Sequence, residues 1–400
     1  MEYKVNLSKY LKFKNGKKRI DKSGKYPLYG GNGKYGTSNN YNTDNSIIIG
    51  RVGAYCGSIY LSESKCWVSD NAISAQLVND EDDLYYFYYL LKMLNLNFYS
   101  VGTSQPLLTQ NILKNLKVNI AGRKNQKIIS DILLNYDKKI ETNNKIIVNL
   151  EAQAQALFKY YFIDFEPFAD DEFIDSDLGP IPEGWEVNNI GDLIDFDIGG
   201  GWGKENPDEK HTDPAFVIRG ADLDGIKNGS FNKDNYRYHK ANNYEKRKLE
   251  EGDIIFESSG GSPTQVLGRL LYINDKVLDA YNDNVICASF CKLIRIKDKV
   301  LGWYIFNILN YAYNNKALVK YEVQSTGLAN FAFTIFKEDY NIIVPSRINL
   351  ERFYRNTFSF MNYSANLSVQ NRMLAQTRDA LLPKLMAGEI DLDKLGGAYD

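Results

Sequence analysis

Glycine-rich segments, four cysteines, two histidines and two basic runs are where this 400-residue chain could do chemistry. Gly30 to Gly36 (GGNGKYG) and Gly199 to Glu205 (GGGWGKE) resemble phosphate cradles. Neither has the Ser or Thr after Gly-Lys that would hold magnesium, so tight turns are the better reading. Cys56, Cys66, Cys287 and Cys291 lie in apolar, strand-like surroundings at spacings that match no zinc set, and they read as reduced core thiols. His211 and His239 are the only histidines, which leaves little for a metal site or a Ser-His-Asp triad, and the Gly-x-Ser-x-Gly candidates fail. No Asn-Pro-Pro-aromatic sequence suited to methylating an amino group is present; Asn206-Pro207-Asp208 is not one. The expectation is a chain with no metal, no bound cofactor and no catalytic centre of its own.

The basic runs carry more. Lys12, Lys14, Lys17, Lys18, Arg19, Lys22 and Lys25 stand against Asp21 alone, and Lys233, Arg237, Lys240, Lys246, Arg247 and Lys248 against Asp234 and Glu245. Both runs are interleaved with Tyr, Asn and Gly. Lys and Arg neutralise phosphates, while Asn, Gln, Arg and Tyr reach base edges and backbone, so the mixture suits a DNA duplex. A solvated lysine-rich face is the competing interpretation of either run alone; two runs at matching places favour DNA.

The elements that must position these residues are written twice. An offset of 224 places Val118 on Ile342, Ile120 on Val344, Arg123 on Arg347, Leu150 on Leu374, Ala156 on Ala380 and Leu157 on Leu381. Upstream the match continues with gaps. Tyr3-Lys-Val echoes Trp185-Glu-Val, each followed by a Gly (Gly16, Gly199); SIIIGRVGAY at Ser46 resembles GDIIFESSGG at Gly252; Asp70-Asn71 resembles Asp283-Asn284; and SVGTSQPLL at Ser100 parallels QSTGLANFAF at Gln324. Each half is therefore a strand-rich region followed by a long helix.

Those helices show a seam. Ile129, Ile132, Tyr136, Ile140, Ile147, Leu150, Ala154, Leu157 and Tyr161 alternate by threes and fours in the first, interrupted by Asn143. Phe353, Phe360, Leu367, Leu374, Leu381 and Leu385 do so in the second, interrupted by Asn371 and Arg378. No Pro or Gly falls between Arg123 and Phe165, which permits a rod of roughly 60 Å. Two such rods most economically pair with each other, with Asn143 and Asn371 available to set register. An antiparallel pair would put the strand-rich regions at opposite ends, related by an approximate two-fold axis.

The expected order is a first strand-rich domain over 1–121, a helix over 122–165, an acidic, proline-containing linker over 166–181, a second domain over 182–345, a helix over 346–387 and a polar tail over 388–400. The linker reading rests on seven acids without a base from Asp164 to Asp177, followed by Pro180 and Pro182. The fold class is α+β with an internal pseudo-two-fold repeat. Globally, 48 basic against 50 acidic residues give a net charge of −2, an average over basic runs and an acidic joint rather than a neutral surface. No run of ~18 apolar residues and no signal peptide is evident, so a cytoplasmic protein is the expectation.

Taken in order, these phrases resemble the specificity subunit of a type I restriction-modification enzyme. YPLYGGNGKYG, IIIGRVGAYCGSIY, GTSQPLLTQNILKNLKV, LGPIPEGWEV and RDALLPKLMAGEID carry the likeness over nearly the whole chain. The resemblance implies two target recognition domains separated by antiparallel coiled-coil helices, each domain reading one part of a bipartite asymmetric DNA site. It also implies a subunit without an active site. Two methyltransferase (modification) subunits would bring S-adenosylmethionine-dependent adenine methylation, and restriction/translocase subunits ATP- and magnesium-dependent cleavage, with no membrane partner. The chain departs from the pattern in lacking a Pro-x-Gly-Trp opening before its first domain and in a weaker stripe through NYSANLSVQN.

Candidate DNA contacts are Lys17, Lys18, Arg19, Asn32, Lys34, Arg51, Tyr55, Ser104 and Gln105 in the first domain, and Lys204, Arg219, Arg237, Lys246, Arg247, Ser258 and Ser259 in the second. Basic members would mainly grip phosphate, with Asn32, Gln105, Arg51 and Arg219 favoured for base edges. Other readings stay open: the recognition module of a differently organised restriction enzyme, a coiled-coil protein-binding adaptor, or a nucleotide-dependent enzyme using the glycine turns.

Overall fold

The structure is a computed structural model that describes residues 4–18, 24–102, 105–260, 266–325 and 328–392. It divides into two compact units, one formed by Met1–Lys139 with Leu374–Asp400 and the other by Ile140–Met373.

The first unit is built on the four-stranded antiparallel sheet Leu11–Asn15, Ala72–Leu77, Ser46–Gly50 and Ile59–Ser62, in that spatial order. Ser46–Gly50 is buried at every position, as expected for a β-branched run covered on both faces. A second sheet sets Tyr26–Gly30 between Gly33–Ser38, antiparallel, and Trp67–Val68, parallel. The helix Leu84–Met93 starts where the Asp83 carboxylate accepts from the Tyr86 N–H at 2.9 Å, which satisfies an otherwise unpaired first-turn donor.

The second unit repeats both sheets and adds a third, of Ser259–Gly260, Leu328–Phe331 and Glu322–Ser325, where the described residues of the first have only isolated bridges of Leu107 to Val52 and Val101. Phe196–Gly199, Cys291–Arg295, Ile254–Glu257 and Leu270–Tyr272 form the antiparallel four. Asp213–Ile218 lies between Tyr236–His239, antiparallel, and Val285–Cys287, parallel. Val5–Asn6 pairs with Lys117–Val118 in one unit as Glu186–Asn189 pairs with Asn341–Val344 in the other. The offset of 224 thus holds through the last strand and into the helix. One proposed correspondence is corrected: Asp283 and Asn284 precede Val285–Cys287, whereas Asp70 and Asn71 follow Trp67–Val68. Asp-Asn pairs favour turns anywhere, and the shared dipeptide reflects that preference.

Each long helix has 40 residues, Arg123–Phe162 and Arg347–Met386. Within each unit the helix segments run antiparallel, with Asp137 meeting Arg378 in the first and Asn143 meeting Asn371 in the second. The seam is less regular than the stripe implied. Ile129, Asn143, Ile147, Phe353, Leu367 and Asn371 are buried, while Ile132, Tyr136, Ile140, Leu150, Leu157, Phe360, Leu374 and Leu381 are half-buried. Leu133, Phe158, Thr357 and Ala365, outside that stripe, are buried as well. The shift arises because these helices also pack on their domains: Phe158 contacts Tyr304 as well as Phe353, and Thr357 accepts from the Trp303 indole at 2.8 Å.

The acidic joint is more anchored than a plain linker. Its charges are exposed, but Phe168 is buried with its ring centroid 5.0 Å from that of Trp185, and Phe173–Ile174 pairs with Ile181–Pro182. Aromatic side chains placed among the acids supply the apolar area that a charge count overlooks. Of the proposed tail, residues 393–400 lie outside the described residues, whereas Leu392 is buried in the first core. All four cysteines are free and buried, and burial pushes the Cys287 thiol up to about 12. Among the described residues no helix is long and apolar enough to cross a membrane, and no cluster of His, Cys, Asp or Glu is arranged to hold a metal ion.

Candidate nucleic-acid interface

In the first unit, backbone hydrogen bonds draw five short segments to one end of the strands. Gly16 and Lys17 donate to the carbonyls of Ala72 and Val68, Ser69 to that of Tyr29, Arg51 to that of Asn71, and Leu108 to that of Arg51, all at 2.8–3.0 Å. The Ser58 hydroxyl donates to the Gly31 carbonyl, and Gly53 to that of Pro106. Seven of the sequence-selected residues belong to these segments or their neighbours. Lys17 and Lys18 follow Gly16 and are exposed, Asn32 lies in the turn between paired strands, Lys34 stands opposite Tyr29, Tyr55 and the Gly50 that precedes Arg51 flank the same turn, and Gln105 lies against Gly102. Tyr55 is 55% exposed and Tyr35 50%, which leaves two rings available for stacking or backbone contact. The Arg51 Nε is buried without a hydrogen-bond partner among the described residues, so its guanidinium retains donor capacity. Arg19 and Ser104 lie outside the described residues.

The second unit repeats the first five of these bonds. Gly200 and Gly201 donate to Cys291 and Cys287, Ala288 to Ile218, Ser258 to Phe290, and Phe331 to Ser258, again at 2.8–2.9 Å. Ser258 therefore takes the position of Arg51, Glu257 that of Gly50, and Phe290 that of Asn71. Both frames need glycine at one place: a side chain on Gly16 would overlap the Ser69 carbonyl, and one on Gly200 the Ala288 carbonyl. Close backbone approach, rather than phosphate cradling, explains these glycines.

This second frame encloses a cleft of about 570 Å³ lined by Trp202, Arg219, Glu257, Ser259, Arg269 and Phe290, among others. Its polar groups are heavily paired. Arg219 grips Asp222 through Nε at 3.0 Å and Nη2 at 2.9 Å. Burial alone would raise the Asp222 pKa, but the Arg219 bonds outweigh it and hold the carboxyl below its ordinary value. Arg269 binds both oxygens of the buried Glu257 and also Asp224. Lys204 pairs with Asp208 at 2.7 Å, and Arg237 lies over the Trp202 ring and meets Glu205. Ser258 and Ser259 bond to the Phe290 carbonyl and to Asn330. Arg247 spends its guanidinium on the carbonyls of Gly199 and Asn243, beneath the glycine turn. Lys246 is exposed past the short helix Ala241–Glu245 and does not line the cleft.

Trp202, Glu257, Arg269 and Phe290 were not selected from sequence, nor were Tyr35, Ser69 and Asn71 in the first unit. Trp202 stands inside GGGWGKE, where the glycines drew attention to phosphate binding; the backbone bonds set Gly16 on Gly200 rather than Gly199, and Asn71 on Phe290 rather than Asn284.

Comparison with known proteins agrees with the duplicated frame. The type I restriction modification DNA specificity domain family matches residues 7–152 and 182–349, one match per repeat. The chain is 28% identical over 321 residues to the type I restriction enzyme MjaIX specificity subunit of Methanocaldococcus jannaschii, covering 78% of this chain and 70% of that one. It is 23% identical to the HindI specificity subunit of Haemophilus influenzae, covering 71% of each. The crystal structure of a type I restriction-modification S subunit from M. genitalium has a similar fold, with a TM-score of 0.56 at 16% identity over 96% of this chain and 95% of that one. With both halves matched and the same hydrogen-bonded frame built twice, this chain belongs to the type I restriction-modification DNA specificity family.

Proposed function

We propose that the chain is the non-catalytic, DNA-reading subunit of a type I restriction-modification complex, and that its two frames read the two parts of a bipartite asymmetric site. The observation that supports this most is the duplication itself: one backbone frame, built twice from different surface residues, suits two unlike base sequences. Contacts would divide by chemistry, with Lys17, Lys18 and Lys34 on phosphates and Arg51, Asn32 and Gln105 at base edges. Two methyltransferase subunits would dock on the chain and supply adenine methylation from S-adenosylmethionine. Restriction subunits would supply ATP- and magnesium-dependent cleavage, and the assembly would work in the cytoplasm. The test is to map adenine methylation across the genome with and without this chain. Loss of one bipartite motif is the expected result; an unchanged set of motifs overturns the proposal.

A further inference from the structure

The two frames share a backbone but differ in the charge they leave available. On the segments that build the first, Lys17, Lys18, Lys34 and Arg51 make no ion pair with any described residue, and Asp70 is the one carboxylate among the described positions. On the second, four cations are matched at their own sites: Lys204 by Asp208, Arg219 by Asp222, Arg237 by Glu205, and Arg269 by Glu257 and Asp224, while Arg247 is held by backbone carbonyls and Lys246 stands outside the cleft. The Asp208 carboxyl is held well below the ordinary range by its bonds from Lys204 and His211, so the pairing persists at neutral pH. A cation already matched by a carboxylate attracts a phosphate weakly, because the acid repels the same phosphate and must be separated or left beside it. Free lysines release condensed counterions when they meet DNA; internally neutralised ones release few.

We infer that the first recognition region supplies the salt-dependent grip on the DNA backbone, while the second region's cleft binds nearly salt-independently, through hydrogen bonds and through the exposed rings of Trp202 and Phe290. This rests on the DNA-reading role proposed above and divides that role unequally between the repeats. The ring exposures fit: Trp202 is 40% exposed and Phe290 52%, apolar surface whose contact with DNA neutralises no phosphate and releases no counterion. Arg237, stacked on Trp202 with its centre 5.2 Å from the ring centroid, orients that surface.

The test is a salt titration of DNA affinity with the full chain, accompanied by its modification subunits where binding requires them, on a duplex with the methylated motif and on one without it. Each phosphate contact contributes about 0.9 to the slope of log affinity against log salt. The triple variant Lys17→Ala, Lys18→Ala, Lys34→Ala is expected to flatten the slope by about 2 to 3 on both duplexes. Lys204→Ala is expected to leave it unchanged, and Asp208→Asn, which frees Lys204 at an exposed site, to steepen it by about 1. Equal flattening by Lys204→Ala, or an unchanged slope in the triple variant, overturns the inference. A wild-type complex that binds both duplexes with one affinity overturns the DNA-reading role instead, and the slopes on either duplex still decide the division between repeats.

Discussion

Asn143 of the first long helix donates its amide to the Oδ1 of Asn371 on the second at 2.9 Å, and Asn371 donates in turn to Asn144 at 2.7 Å. Both asparagines are buried. A buried polar pair in a helix seam lowers stability relative to leucine but penalises every other register, since slippage would bury unpaired amides. Asn143→Ala is therefore expected to lower the unfolding free energy by about 1–3 kcal/mol, the cost of stranding a buried amide. The double variant Asn143→Leu, Asn371→Leu should recover most of that loss. Urea unfolding of the full chain checks both; a neutral Asn143→Ala would show that solvent already satisfies the site.

Arg51 and Lys18 occupy neighbouring parts of one frame yet should behave differently. Arg51 emerges from the segment held by Asn71 and Leu108 and keeps a buried, unpartnered Nε, whereas Lys18 is exposed. Arg51→Ala should cost about 1–3 kcal/mol at a single base position and relax specificity there, while Lys18→Ala should weaken all duplexes alike. Competition binding against duplexes substituted one base pair at a time separates these outcomes.

How much of this was legible in the sequence depends on which physical signal carried it. The helices were, because helix-forming residues run from Arg123 to Phe162 without Pro or Gly and a 3.6-residue period survives substitution. So was the repeat through Val118 and Ile342, where buried strands limit change. The recognition frame was legible only in part, because its bonds are backbone to backbone: Arg51 and Ser258 share a position while sharing no side-chain chemistry. Ion pairing was hidden altogether. Arg219 reads as a free cation beside Gly220, and only the fold shows Asp222 neutralising it. The burial of Phe168 was likewise masked by the acids around it.

His239 gives the second unit a pH dependence. Its imidazole is buried and its Nε2 lacks a partner among the described residues. Burial pushes its pKa down, with His211 and Arg247 adding to the effect. The folded state then takes up its proton at lower pH than the unfolded chain, whose histidine titrates near 6.5. This stabilisation is complete above pH 6.5 and is lost as pH falls from there through the depressed folded value. Thermal unfolding from neutral to mildly acidic pH should show the decline, and His239→Leu should remove that component of it. A variant whose midpoint falls with pH as steeply as the wild type would assign the dependence elsewhere.

Gly16 and Gly200 occupy equivalent positions in the two frames, and each leaves no room for a side chain because a carbonyl oxygen faces it, Ser69 in one case and Ala288 in the other. An added methyl group must push apart segments that carry Lys17 and Tyr29 in the first frame, or Trp202 and Phe290 in the second. Overpacking of this kind costs about 1–3 kcal/mol, and the displacement falls on the recognition segments that meet each glycine. Gly16→Ala should therefore abolish discrimination at one part of the bipartite site and leave the other part intact, and Gly200→Ala should do the reverse. Binding to duplexes altered in one part at a time measures both. If either variant lost discrimination at both parts equally, the two frames would not read independently, and the duplication would serve one joint surface instead of two.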